Sequence, residues 1–245
     1  MTDNPRIERT RLETRRRVLT IRAVDRLSPA MLRLTLEGPD LEGFASPGAS
    51  DHIKLFVPDG AGGTTMRDYT PRRHDPVAGT LDIDFAVHDA GPATLWALGA
   101  KVGDRAEIGG PRGSQAIVGP IRGWVLVGDE TALPSIARRI EEMDPDLPVT
   151  ALVAVPAPED AQTLSTAAAL DMRWILRDDP RDGAALRAAL AAVDLPEGTF
   201  VWIAAEAGVA RALRDDLLAR GYPAPWIKAA GYWIAGQADA AEKDL

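Results

Sequence analysis

Trp124-Val125-Leu126-Val127 runs directly into Gly128-Asp129-Glu130-Thr131, after which Leu133, Ile136, Ala137, Ile140 and Met143 recur at spacings of three and four. A short apolar run without alternation describes a strand buried on both faces, and the three-to-four spacing describes one face of a helix. Pro134 suits a first helical turn. The same pattern repeats downstream. Strands are expected at 149–155, 173–176, 200–204 and 226–233, with a helix over 184–193 and a helix face at Val209, Leu213 and Leu217. Apolar strands alternating with helices imply a parallel sheet covered on both sides.

Upstream of Gly119-Pro120 the periodicity changes. Leu32, Leu34 and Leu36 alternate with Arg33 and Thr35, and Ile53, Leu55 and Val57 alternate with Lys54 and Phe56. Leu81, Ile83, Phe85 and Val87 do the same with Asp82, Asp84 and Ala86. Period-two alternation between turns rich in Gly, Pro and Asp marks half-buried antiparallel strands, and several of them suggest a small barrel. The expected layout is an antiparallel Greek-key β-barrel over 1–119 followed by a doubly wound parallel-sheet α/β domain over 120–245.

The chain of 245 residues carries a net charge of -8, no cysteine and three histidines, His52, His74 and His88. The charge argues against general nucleic-acid binding. The missing cysteines exclude disulfides, thiolate metal sites and cysteine-held iron–sulfur clusters, and no metal site is expected. No apolar run is long enough to span a membrane, and no secretory signal is visible, so a cytoplasmic location is expected. The arginines between Arg6 and Arg22, with Arg15-Arg16-Arg17 in series, are expected to form the solvated start of a strand.

Three segments invite a chemical interpretation. Arg67-Asp68-Tyr69-Thr70 lies at a strand, so Arg67 and Tyr69 project to one face. A guanidinium beside an aromatic ring suits a ligand with both a phosphate and a flat ring system, and Thr70 can offer a hydroxyl or backbone N–H. Alone, the tetrapeptide is better described as a surface arginine beside a half-buried tyrosine. Gly91-Pro92-Ala93-Thr94 begins a helix whose N–H groups can hold a pyrophosphate, although in isolation an ordinary capped helix is the better description. Gly128 to Pro134 falls at the carboxyl end of the first parallel strand, where ligands gather in such sheets, and Glu206 sits on the same rim. Two plain strand-to-helix turns would look the same.

As an ordered set, these segments resemble the siderophore-interacting protein family, FAD-dependent ferric-siderophore reductases related to ferredoxin–NADP reductases. The resemblance rests on Arg67-Asp68-Tyr69-Thr70-Pro71-Arg72, on Asp84-Phe85-Ala86-Val87-His88 with Gly91-Pro92-Ala93, on Gly128 to Pro134, and on Gly231-Tyr232-Trp233. It implies a barrel holding FAD and a following domain for NADPH or NADH. By motif match, Arg67, Asp68, Tyr69 and Thr70 would hold the flavin and its phosphates. Asp84, Phe85, Ala86, His88, Gly91, Pro92, Ala93 and Thr94 would line the rest. Asp129, Glu130, Thr131 and Ala132, with Glu206 and Trp233, would face the nicotinamide side. Lys54 and Arg112 match positions where the family places cations for an anionic ferric chelate. The family's closing motif usually reads Gly-Tyr-Trp-Arg, whereas Ile234 follows Trp233 here. Either Lys228 or another nearby cation compensates, or the acceptor differs.

The resemblance implies electron transfer from NAD(P)H through FAD to Fe(III), releasing Fe(II) for iron acquisition. A reduced ferredoxin is an alternative donor. Two other functions fit the same residues, a non-catalytic flavin- or chelate-binding protein and a flavin reductase serving another acceptor. The oligomeric state is open, with a monomer as the working expectation.

Overall fold

The computed structural model describes residues 4–87, 91–237, 240–242 and 245. The chain divides into two compact units, Glu8–Ala116, and Ile117–Leu245 with the N-terminal residues up to Ile7.

In the first unit, β2 (Arg16–Ser28), β3 (Met31–Glu37), β4 (Ile53–Pro58), β5 (Thr64–Tyr69), β6 (Arg73–Asp75), β7 (Thr80–Ala86) and β8 (Arg105–Gly109) form one antiparallel sheet. Its order is β5-β4-β8-β2-β3-β7-β6, and β1 (Arg6–Arg11) pairs separately with β9 (Gly113–Val118). The return of β8 between β4 and β2 is the long connection of a Greek key. Leu32, Leu34 and Leu36 meet Leu81, Ile83, Phe85, Ile53, Leu55, Val57, Leu19, Ile21 and Ile108 in a single apolar core. Burying each large aliphatic side chain contributes about 1.5–3 kcal/mol, which outweighs the weak strand propensities of the outward polar residues. The inward alternation therefore fixes the register, because a slip by one residue would expose the whole set.

The expectation for the basic run needs correcting at one residue. Arg15 and Arg16 are exposed, but Arg17 is buried at the start of β2. It donates to the carbonyls of Asp40, Arg15 and Gly110. Arg17 occupies the inward phase of Leu19 and Ile21, and three carbonyls make that burial tolerable.

In the second unit, β10 (Gly123–Asp129), β11 (Pro148–Val155), β12 (Ala169–Leu176), β13 (Thr199–Glu206) and β14 (Ile227–Trp233) form a parallel sheet of order β12-β11-β10-β13-β14. The order reverses between β10 and β13, so the crevice at their carboxyl ends is the topological switch point. Helix α2 (Leu133–Glu141) packs with the core on one face. On the other face lie α3 (Ala184–Ala191) and α4 (Ala207–Ala219). A Cβ at Gly128 would stand 2.6 Å from the Ala204 carbonyl and 2.9 Å from the Ala132 Cβ. Glycine at that position is what lets α2 start so close to the sheet. Among the described residues, no helix is long and apolar enough to cross a membrane.

Candidate functional site

Along β5, Thr65, Arg67 and Tyr69 are half-buried while Met66 and Asp68 face outward. Arg67 and Tyr69 thus share a face, as their spacing predicts. Arg67 donates to the Thr65 hydroxyl at 2.7 Å and to the Met66 carbonyl at 2.9 Å, which lays its guanidinium along the strand. The Tyr69 ring lies 4.4 Å from Phe85 of β7, and Phe85 lies 6.2 Å from Trp96 of α1 (Pro92–Gly99). Burial pushes the Tyr69 phenol above its ordinary value against the opposing pull of Arg67, so the hydroxyl stays neutral through the physiological range. Thr70 follows directly, half-buried.

The residues of β7 are used differently from one another. Asp84 accepts two hydrogen bonds from Arg33, at 2.6 and 2.8 Å, and Arg72 stands 3.7 Å away. That carboxylate ties β3, β7 and the segment after Thr70 together. Phe85 is wholly buried in the core, which leaves only its backbone to face a ligand, and Ala86 is half-buried at the strand end. His88 lies outside the described residues. Helix α1 has Gly91 at its N-cap, Pro92 in its first turn, no capping side chain and no acid in that turn. Ala93 and Thr94 are buried there. An acid-free, uncapped helix start presents N–H groups and a positive dipole end to an anion.

The donor set therefore fits FAD by its chemistry. A guanidinium and an aromatic ring share one strand face, and the same unit contains a helix whose first turn carries no acid.

Of the cations expected to meet an acceptor, Lys54 pairs with Asp68 directly across β4 and β5 at 2.6 Å. Arg112 is exposed just after the cis Gly110–Pro111 bond. Lys228 belongs to the other unit, near the start of β14 opposite Trp202. Five residues separate it from Trp233, roughly 16 Å at the rise of a strand, so the structure does not bring Lys228 to the rim where position 234 lies.

That rim carries a dense hydrogen-bond network. Asp129, wholly buried, accepts from the Thr131 backbone at 3.0 Å and from the Thr131 hydroxyl through one oxygen. Its other oxygen accepts from the Glu206 amide at 3.0 Å and from the Trp233 indole at 3.1 Å. Glu206 caps α4 through the amides of Gly208 and Val209, at 2.6 and 3.1 Å, and its second oxygen accepts from Ala235 at 3.2 Å. Glu130 is held by Arg177, which also donates to the Pro180 carbonyl at 2.6 Å and stands 3.9 Å from Asp129. Burial raises the Glu130 carboxyl above the ordinary carboxylate range, and Asp129 adds to the rise while Arg177 opposes it. Ala132 is buried against the core at the start of α2. The structure thus gathers Asp129, Thr131, Glu206 and Trp233 at the switch point between β10 and β13. Arg177 was missed in the sequence, where its only signal is a charge immediately past a strand on the ligand-bearing edge.

An antiparallel barrel with an aromatic–arginine strand face, followed by a parallel sheet with a switch-point crevice, is the fold of ferredoxin-reductase-type FAD- and NAD-binding proteins. More narrowly, the chain belongs to the siderophore-interacting protein family. The family model of that name matches residues 121–236, and the siderophore-interacting FAD-binding domain matches residues 20–65 and 59–115. The chain is 32% identical to the NADPH-dependent ferric-chelate reductase of Escherichia coli (strain K12) over 258 residues, 96% of this chain and 100% of that protein. It is 30% identical over 191 residues to a ferric vibriobactin reductase of Vibrio cholerae, 70% of each chain. The crystal structure of a siderophore utilization protein from T. fusca superposes with a TM-score of 0.88 at 34% identity, covering 96% of this chain and 98% of that one.

Proposed function

We propose that the protein is an FAD-dependent oxidoreductase that takes a hydride from NADPH and delivers the two electrons singly to a ferric chelate, releasing Fe(II). The observation that carries this function is the shared face of Arg67 and Tyr69 on β5, within the stretch that matches the FAD-binding domain. When bound, FAD supplies the conversion between two-electron and one-electron chemistry that neither a nicotinamide nor an iron chelate can perform alone.

The chain's own residues then have limited tasks. Arg67 neutralises phosphate charge, the Tyr69 ring packs against the flat ring system, and Thr70 offers a polar contact at its edge. The first turn of α1 holds the pyrophosphate. Thr131, Glu206 and Trp233 shape the crevice for the nicotinamide nucleotide. Lys54 and Arg112 provide cations for the chelate. Fe(III) needs no ligand from the protein, since it stays in its chelate until reduction weakens its hold by hard oxygen ligands. NADPH is taken as the donor because the Escherichia coli relative is named for it, with NADH as the competitor to test. We place this activity in the cytoplasm.

The test is consumption of NADPH by the FAD-loaded protein with and without a ferric chelate. Chelate-dependent consumption in the wild type and loss of bound FAD in Arg67→Ala are expected. Consumption that no ferric chelate stimulates would rule the function out.

A further inference from the structure

We propose that the tip of the C-terminal hairpin, Trp233 to Ala235, forms a wall of the donor-nucleotide crevice, and that Asp129 and Glu206 are the positioning residues that hold it there. The inference rests on the rim of the parallel sheet being the nicotinamide-nucleotide side.

Asp129 ends β10 and Glu206 ends β13, the two strands that flank the switch point. Carboxylates in such a place invite the role of direct nucleotide ligands, but their oxygens are already engaged. Asp129 serves Thr131 with one oxygen, and the Glu206 amide and Trp233 indole with the other. Glu206 serves two α4 amides and the Ala235 amide. On Asp129 a further acceptor role would require breaking one of these bonds, and on Glu206 only the oxygen that holds Ala235 has a site left. An anionic dinucleotide also gains nothing from approaching buried carboxylates. What the two acids do is fasten one segment of chain at two adjacent points.

That segment is aimed by a bulge. Ala205 pairs with Gly231, but Glu206 pairs with Trp233, so Tyr232 is the extra residue on β14. A bulge shifts the side-chain phase of everything beyond it. Without it Trp233 would take the opposite phase, and its indole N–H would not meet Asp129. Beyond Trp233 the chain turns through Gly236 and comes back along the edge of β14. There Gly231 and Glu242 exchange two hydrogen bonds of 2.8 Å, and the Leu245 amide donates to the Ala229 carbonyl at 3.2 Å. Arg211 of α4 pairs with Glu242. The hairpin is thus anchored at its base by strand pairing and at its tip by Asp129 and Glu206. The half-buried Trp233 and Ile234 are the side chains it presents beside the crevice.

The experiment uses the FAD-loaded protein with NADP+ as the probe, titrated calorimetrically, together with amide hydrogen exchange over residues 229–237. Trp233→Phe keeps an aromatic ring but removes the indole donor, and Asp129→Asn replaces one of the two accepting oxygens with an NH2 donor that faces other donors. Trp233→Phe is expected to weaken NADP+ by roughly fivefold, the equivalent of one buried hydrogen bond, and Asp129→Asn by at least as much, because each of its oxygens serves two donors. The double variant should weaken NADP+ by less than the product of the two single effects, because the Trp233–Asp129 bond is counted in both. Exchange at the tip should accelerate while bound FAD is unchanged. If the tip loosens and NADP+ affinity is unaltered in both variants, the tip is no part of the donor site and the inference fails. If Asp129→Asn does not fold, Trp233→Phe alone decides it. If the wild type binds neither NADP+ nor NAD+, the assignment of the rim itself fails, which is a different and distinguishable result.

Discussion

Asp68 and Lys54 stand opposite each other on neighbouring strands as an ion pair, and on the proposed function that pair holds the ammonium offered to an anionic acceptor. Both side chains are partly exposed, and such pairs contribute about 0–1 kcal/mol, little enough for the chelate to compete with. Asp68→Asn is therefore expected to raise kcat/KM for an anionic ferric chelate by about two- to fivefold at low ionic strength, with the gain fading as salt screens it. Initial rates at two salt concentrations check this, with a neutral chelate as the control that should not respond. With Ile234 where the family usually carries arginine, the protein should favour chelates of low negative charge.

Glu130 provides a second test at the same scale. Burial, with Asp129 beside it, raises its carboxyl in the folded state. The folded protein therefore holds this proton at pH values where the unfolded chain has released it. The resulting contribution to stability is complete below the unfolded value and disappears as pH rises through the folded one. In Glu130→Gln this component is absent. The stability of the wild type relative to the variant should thus grow as pH is lowered through the window above the ordinary glutamate value. Urea midpoints at several pH values measure it, and a constant difference would contradict the assignment.

Among the elements, β14 depends on close backbone approach. A Cβ at Gly231 would lie 2.6 Å from the Ala207 Cβ and 2.8 Å from its Cα, at the start of α4. Neither of those atoms is the flexible end of a side chain. Gly231→Ala should cost about 1–3 kcal/mol by overpacking, visible as a lowered urea midpoint, and should also loosen the hairpin that continues from β14. The elements that sequence reveals best are those whose burial is uniform or strictly alternating, such as β3, β7, β10 and α2. β2 is harder to see because Arg17 takes an inward position that an apolar residue would normally mark. β8 offers only Ala106 and Ile108 as inward signals, and β6 is three residues long. At the site, the Arg67–Tyr69 face follows from strand geometry alone. The roles of Arg33, Arg72 and Arg177 do not, because a buried ion pair depends on which strands become neighbours, and local periodicity carries no record of that.

At the scale of the whole molecule, the two units divide the chemistry. The antiparallel unit carries the aromatic–arginine face and the acid-free first turn of α1, while the parallel unit carries the switch point where Asp129, Glu206 and Trp233 are joined by hydrogen bonds. A net charge of -8 repels an anionic acceptor at long range, so on the proposed function attraction falls to local cations, for which the exposed Arg112 is a candidate. The measurement closest to the central claim is the ratio of Fe(II) formed to NADPH consumed, followed without oxygen with a chromogenic Fe(II) chelator present. Electron balance requires two Fe(II) for each NADPH oxidised to NADP+ with release of one proton, and the account predicts that ratio. NADPH oxidation that yields no Fe(II) under these conditions would contradict it.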